Sequence, residues 1–376
     1  MQKLLTSIME RSQPPINKDN YISIAKAIGI ILMVIGHSKC PSTLHHFIYM
    51  FHIPLFFFCS GLFHEKQKKI YSSFWKKTKG LYLPYIKWSI LFLLLHNIFY
   101  RLNICNASYG YLGGTHLYNL NEMAVKAIHI LFTMTEHEYL LGGFWFIKSL
   151  FLSSILLSLI LYPFKKESTL INSIILFFLI ILTVILRRFN ITEIPIIGDP
   201  SLILFSAAFF MIGKIFKSQI KPSTYNYKYF LISLFIIILS LIHYNNLSMF
   251  CGYNKVFPYS IIATCGIYMT LYISKFINNF NIKKGFYYIG KNTMVILSLH
   301  FLSFKLVNLL EIVIYKMPIK HLAEYPVIDN NNPFFWIIYS VVGVAIPLFL
   351  SYIYNTIKSQ KLTHKYRYPF NKKYQE

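Results

Sequence analysis

Residues 21–38 read YISIAKAIGIILMVIGHS, and only Lys26 and His37 in this stretch carry a strongly polar ring or charge. Eighteen residues at 1.5 Å rise come close to the ~30 Å of a hydrocarbon core. In lipid such a run must satisfy its own backbone hydrogen bonds, so a helix is the expected solution. Comparable runs recur to the end of the chain, each of about 17–22 residues where it is clearest. Spans are expected at 22–38, 53–63, 81–99, 144–161, 170–186, 200–213, 229–244, 257–274, 293–315 and 334–355. The second and sixth are short and are expected to extend into their flanks.

The expected fold is therefore an all-α polytopic membrane bundle of about ten transmembrane helices. Its parts are a polar segment at 1–20, a membrane domain at 21–355 and a basic tail at 356–376. The first twenty residues include Pro14 and Pro15 and no apolar core, which excludes a cleavable signal peptide there. No soluble domain is expected at either end.

Of the 376 residues, 55% are hydrophobic, and 37 Lys and Arg stand against 13 Asp and Glu. That excess invites a nucleic-acid reading, but the cations are not spread as such a reading needs. They concentrate in alternate connections, notably HEKQKKIYSSFWKKTK (64–79) and KSQKLTHKYRYPFNKK (358–373). This is the positive-inside pattern, which places both termini in the cytoplasm and the basic loops against anionic membrane lipids. No nucleic-acid partner is expected. The weight of Ile, Lys, Asn, Tyr and Phe fits an AT-rich bacterial genome, and so the inner membrane of a bacterium.

The five cysteines have no metal-ligand spacing, so no metal is expected; Cys105 and Cys251, both in outer connections, are a possible pair. The long connection at 100–143 has helical periodicity over 121–134. It reads as an amphipathic helix lying along the interface or over the bundle, where it could lid a cleft.

Ionisable groups inside spans are costly and therefore informative. Lys26, Lys87, Lys148, Lys305, His37, His96 and His300 fall within the spans, with Glu311 the only acid. Cations without matching carboxylates suit an anion. Lys26 and His37 are eleven residues apart, within about 20° of eclipsed and ~16 Å apart along the axis. That places Lys26 and Lys87 near the inner surface, His300 at ~12 Å and His37 at ~22 Å from it. Ser60, Trp145 and Lys148 come out at about the height of His37. The arrangement is a basic inner vestibule leading to a histidine in the outer third. Histidine suits proton transfer at neutral pH. Plainer readings stand beside these: Lys26 and Lys87 can snorkel, His96 can bond between helices, Ser60–Gly61 can serve close packing, and Lys148 and Lys305 can reach headgroups.

The opening stretch together with FHIPLFFFCSGLF (51–63) resembles the first two spans of the membrane acyltransferase-3 family. LYLPYIKW (81–88), GGFWFIKSLF (142–151) and YIGKNTMVILSLHF (288–301) are similar to later family segments. The resemblance implies transfer of an acyl group, usually acetyl, from cytoplasmic acetyl-CoA to a hydroxyl of a cell-surface or exported glycan. On that basis His37 is the expected catalytic residue. Lys26, Lys87 and His300 are expected on the acetyl-CoA side, and Ser60, Trp145 and Lys148 on the carbohydrate side. The family's usual Arg is replaced by Lys26, a point charge without the bidentate fork. A transporter or flippase for an anionic glycan precursor also accounts for buried Lys and His, but the chain lacks internal repeats and paired broken helices.

Overall fold

The computed structural model describes residues 20–64, 70–109, 114–135, 138–164, 168–219, 224–329, 332 and 334–367. Helix dominates, and no strand occurs among the described residues. In chain order the helices are α1 (Asn20–His37), α2 (Ser42–Tyr49), α3 (His52–Leu62), α4 (Ile70–Lys77), α5 (Leu83–Arg101), α6 (Leu120–Phe132) and α7 (Trp145–Leu161). They continue as α8 (Thr169–Arg188), α9 (Pro200–Gln219), α10 (Tyr227–His243), α11 (Val256–Ile277), α12 (Lys283–Lys291), α13 (Thr293–Tyr315) and α14 (Phe335–Arg367).

Seven helices among the described residues are long and apolar enough to cross a membrane: Ile70–Arg101, Tyr139–Leu161, Thr169–Arg188, Pro200–Gln219, Tyr253–Ile277, Thr293–Tyr315 and Phe335–Gln360. Tyr21–His37 and Tyr227–His243 are apolar but shorter. The expected sixth span does lengthen, to the twenty residues of α9. The expected second span does not become one helix. Phe51 takes φ −149° and ψ −15°, which separates the eight residues of α2 from the eleven of α3. Neither piece is long enough to cross alone.

Membrane residence is written on the outside of the bundle. On α8, Leu170, Ile174, Phe178, Leu182 and Ile185 recur at helical spacing and are all exposed. On α10, Leu231, Phe235, Ile238 and Ile242 do the same. Such stripes would be a liability in water and are the expected lipid face of a spanning helix. Inside, hydroxyls bond the carbonyl one turn back, as Ser206 does to Leu202 (2.7 Å) and Ser303 to Leu299 (2.9 Å), so they need no water.

Two packing devices set the centre. Gly61 of α3 faces the backbone of Phe210 on α9, and Gly213 of α9 faces the backbone of Phe58 on α3, with no room for a Cβ at either. The paired glycines let these two helices touch backbone to backbone. The second device is a widened turn. Pro84 has no N–H to give the carbonyl of Gly80 four residues back, and residues Thr78–Tyr82 form a π turn between α4 and α5.

The connection before α7 holds the expected amphipathic helix as α6, capped by the Asn119 side chain, which accepts from Glu122 N at 2.9 Å. Leu120, Val125, Ile128 and Phe132 are exposed on it while Ile130 is buried. His96 fastens this region to α5. Its Nδ1 lies 2.8 Å from Glu138 Oε2, its Nε2 lies 2.9 Å from His116 O, and its ring stacks on Tyr118 at 3.4 Å. Cys105 and Cys251 are both free and buried, and Cys251 packs beside Arg187 instead of a second thiol.

Candidate active site

Three cavities follow one another through the bundle. A basic cavity of about 230 Å³ is lined by His64, Ser73, Lys76 and Lys77, with Ser60, Gly80, Leu81 and Leu150 on its far wall. Those last four residues also line a central cavity of about 330 Å³. The central cavity carries Lys26, Ser60, His52, Tyr49 and His37 on a mostly apolar wall that includes Phe56, Trp145 and Phe146. Beyond it lies a cavity of about 1120 Å³, lined among others by His45, His46, Tyr109, Glu324, Tyr325 and Asp329. His37, Tyr49 and Trp145 line both the central and the large cavity, so they stand at the junction.

The neighbouring walls differ in charge. Among the described residues no Asp or Glu lines the basic or the central cavity, whereas the large one has Glu324 and Asp329, the latter paired with Lys39. Lys77 donates to Ser73 Oγ at 2.7 Å, and Lys214 reaches His64 O at 3.4 Å. Burial and the nearby Lys77, Lys214 and Lys76 push His64 down to about 3, so its ring adds no charge there at neutral pH. The basic cavity suits a polyanion, and the central one suits a thin, mostly apolar arm. The π turn matters here because Gly80 and Leu81, at its heart, form the wall between the two.

At the junction the rings are packed in sequence. His45 stacks on Tyr49 at 4.1 Å, Tyr49 meets His52 at 4.9 Å, and His37 lies 6.5 Å from Tyr49 and 5.5 Å from His300. Phe250 closes one side against Trp145 at 4.9 Å. Its loop is held by Arg187, whose guanidinium donates to Cys251 O at 2.6 Å and Met249 O at 2.9 Å.

The residues singled out from sequence divide into two groups. Lys26, Ser60, His37 and Trp145 come together around the central cavity. His300 sits behind His37, fully buried and off the cavity wall. A count of residues along straight, level helices put its height some 10 Å from that of His37. The structure removes that difference, because α12 climbs beside α1 before α13 begins and Thr293 already lines the cavity of Lys26.

Lys87 does not join the group: it is exposed, with its ammonium 5.8 Å from the Trp88 and Tyr354 rings. Lys148, three residues past Trp145, turns away and donates to Ile196 O at 2.7 Å. Lys305 is not directed to headgroups. It is 3% exposed and donates to Glu324 O (2.6 Å) and to Tyr139 Oη (3.1 Å). With Asn308, which donates to Leu322 O at 3.1 Å, it holds the 319–328 segment that walls the large cavity.

Of the long connection, Tyr109 lines that cavity, while α6 lines none of the three. Glu122 and Glu138 are engaged by His116 and His96. Tyr111 and Glu136 of that connection lie outside the described residues.

Sequence reasoning missed Lys76 and Lys77, whose charge read as topology alone, and Tyr49 and His52, which flank the break between α2 and α3. The signal for the last two was there: His52 directly precedes the Ile-Pro of the second motif, and Tyr49 lies three residues before it. No cluster of metal-ligating residues occurs among the described residues.

Residues 19–352 match the acyltransferase-3 family model (Acyl_transf_3), described as an acyltransferase domain. No curated protein and no solved structure matches the chain.

Proposed function

We propose that this chain, which belongs to the acyltransferase-3 family and is a multi-pass membrane acyltransferase, moves an acetyl group from cytoplasmic acetyl-CoA to a hydroxyl of a cell-surface or exported glycan. The observation that carries the proposal is His37 at the junction of two cavities, one reached through lysines and the other bordered by aromatics and carboxylates. The basic cavity faces the cytoplasm in this reading, consistent with the basic loops, ten crossings and both termini inside. The membrane is then the inner membrane of a bacterium.

Lys76 and Lys77 hold the phosphates of the donor, with Lys26 further in. The pantetheine arm runs past Ser60 and Phe56 and brings the thioester to His37. The acceptor sugar occupies the large cavity, where Trp145 and Tyr109 offer ring faces and Glu324 an acceptor for hydroxyls.

His37 takes the proton of the attacking hydroxyl as its oxygen adds to the thioester carbonyl. The carbon–sulfur bond then breaks, the ester stays on the sugar, and His37 returns the proton to the leaving thiolate as CoA-SH departs. Proton and charge balance without a metal or a second cofactor. A direct hand-over of this kind needs both substrates at once, which two cavities meeting at one base provide.

The test is transfer of labelled acetyl from acetyl-CoA to extracted envelope glycan in isolated membranes, with wild type against His37→Ala at matched expression. Label with wild type and none with the variant is the expected result. Unchanged label in the variant removes His37 from the chemistry. No label with either, across several glycans, removes the glycan acceptor.

A further inference from the structure

His300 has one nitrogen committed and one unspent. Its Nδ1 lies 3.0 Å from Leu297 O and 3.2 Å from Ile296 O on its own helix. A carbonyl oxygen only accepts, so Nδ1 carries the proton and Nε2 is left as a lone pair. That Nε2 is buried and has no hydrogen-bond partner among the described residues. A buried acceptor without a donor is costly, and such groups in a folded protein call for a reason.

The surroundings narrow the choice of donor. Around the His300 ring stand Phe301 at 3.9 Å, Phe304 at 5.7 Å and the imidazole of His37 at 5.5 Å. The two phenyl rings have nothing to give. The His37 ring, tilted by 35° to that of His300, has an N–H in either neutral tautomer.

We infer that His300 is a positioning residue: its Nε2 accepts the ring N–H of His37 and thereby leaves the other His37 nitrogen as a lone pair aimed at the cavity junction. The direction follows from the order of constraints. The helix carbonyls fix the tautomer of His300, and His300 in turn fixes the tautomer of His37. A base needs its lone pair on the side where the hydroxyl arrives, and the bond made by the second ring nitrogen decides which side that is. His300 touches neither substrate, since it lies off the wall of the central cavity. This inference rests on the role proposed for His37, but the pairing itself can be observed without turnover.

The experiment has two arms on purified protein in lipid nanodiscs. The first records ¹⁵N spectra of histidine-labelled wild type, His300→Leu and His300→Gln, with His37 assigned by its absence in His37→Ala. A single neutral tautomer of His37 is expected in wild type, and a mixture of the two in the leucine variant. The glutamine variant keeps an acceptor oxygen and is expected to keep the wild-type tautomer.

The second arm measures acetyl transfer. The leucine variant is expected to lose about 10- to 100-fold in kcat, part of the 10²–10⁴ that a positioned base contributes, with both KM values within about twofold. The glutamine variant is expected to recover most of that loss. A His37 signal identical in all three proteins overturns the inference and leaves the acyltransferase reading intact. So does an equal loss in the leucine and glutamine variants. A tautomer shift without transfer to any glycan keeps the pairing and overturns the proposed acceptor instead.

Discussion

Gly290 of α12 packs directly on the backbone of Ser23 in α1, with no room between them for a Cβ. That contact sets the height of α13, which starts three residues later, and so decides that His300 arrives beside His37. Two residues 263 positions apart in sequence share a site because one glycine lets a short helix lie flush on the first.

Filling that contact is expected to damage the site from a distance. Gly290→Leu must push α12 off α1, at a cost of about 1–3 kcal/mol for overpacking. Thermal unfolding in detergent is expected at a lower temperature, and acetyl transfer is expected to fall although no lining residue has changed. A variant with wild-type melting and wild-type transfer would show that α13 is held in place by other contacts.

Lys76 and Lys77 are predicted to act on the donor alone. Lys76→Ala/Lys77→Ala is expected to raise KM for acetyl-CoA by about tenfold or more, as loss of one or two charge-assisted contacts of roughly 1.5–3 kcal/mol each implies. The acceptor KM is expected to stay constant. Raising the salt concentration should weaken donor binding in wild type and less so in the double variant.

Trp145 should report on the other side. Trp145→Ala removes an aromatic face shared by the central and large cavities, and the acceptor KM is expected to rise about tenfold, the loss of one good stacking contact. Trp145→Phe should retain part of it. Equal effects on donor and acceptor KM would place the tryptophan on the donor path instead.

His64, in the basic connection after α3, predicts a pH effect with a definite sign. Burial, with Lys77, Lys214 and Lys76 close by, pushes it down to about 3, while an unfolded histidine titrates near 6.5. Between those values the unfolded chain binds a proton that the folded chain refuses. The stability His64 contributes is therefore complete above about pH 6.5 and is lost as the pH falls below it. Melting temperatures of wild type and His64→Asn between pH 5 and 8 should converge toward the acidic end. A constant difference across the range would contradict this.

The apolar helices α1 and α8 were legible in the sequence because hydrophobic length depends on one segment at a time. The same holds for Lys26 and His37, which share a face by their spacing alone and both line the central cavity. Lys87 and Lys148 read from sequence like the other cations of the spans, yet one faces outward and the other bonds a loop carbonyl. Nothing local distinguishes them from Lys26, since a cation in a span has the same pattern whichever way its face turns.

The sequence by itself determined that the chain is a helical membrane protein of the acyltransferase-3 family, and offered Lys26, His37, Ser60 and Trp145 among a longer set of candidates. Hydrophobic length and helical period are properties of a continuous segment, and lipid leaves such a segment little alternative to the helix. Only the tertiary structure decided that His300 backs His37, that Lys76 and Lys77 line a basic cavity next to the central one, and that Lys305 holds a loop instead of meeting solvent. Each of these depends on the offset between helices, and that offset is set by side-chain volumes at particular crossings, such as Gly290 on Ser23 and Gly61 on Phe210. Periodicity along one helix carries no information about it.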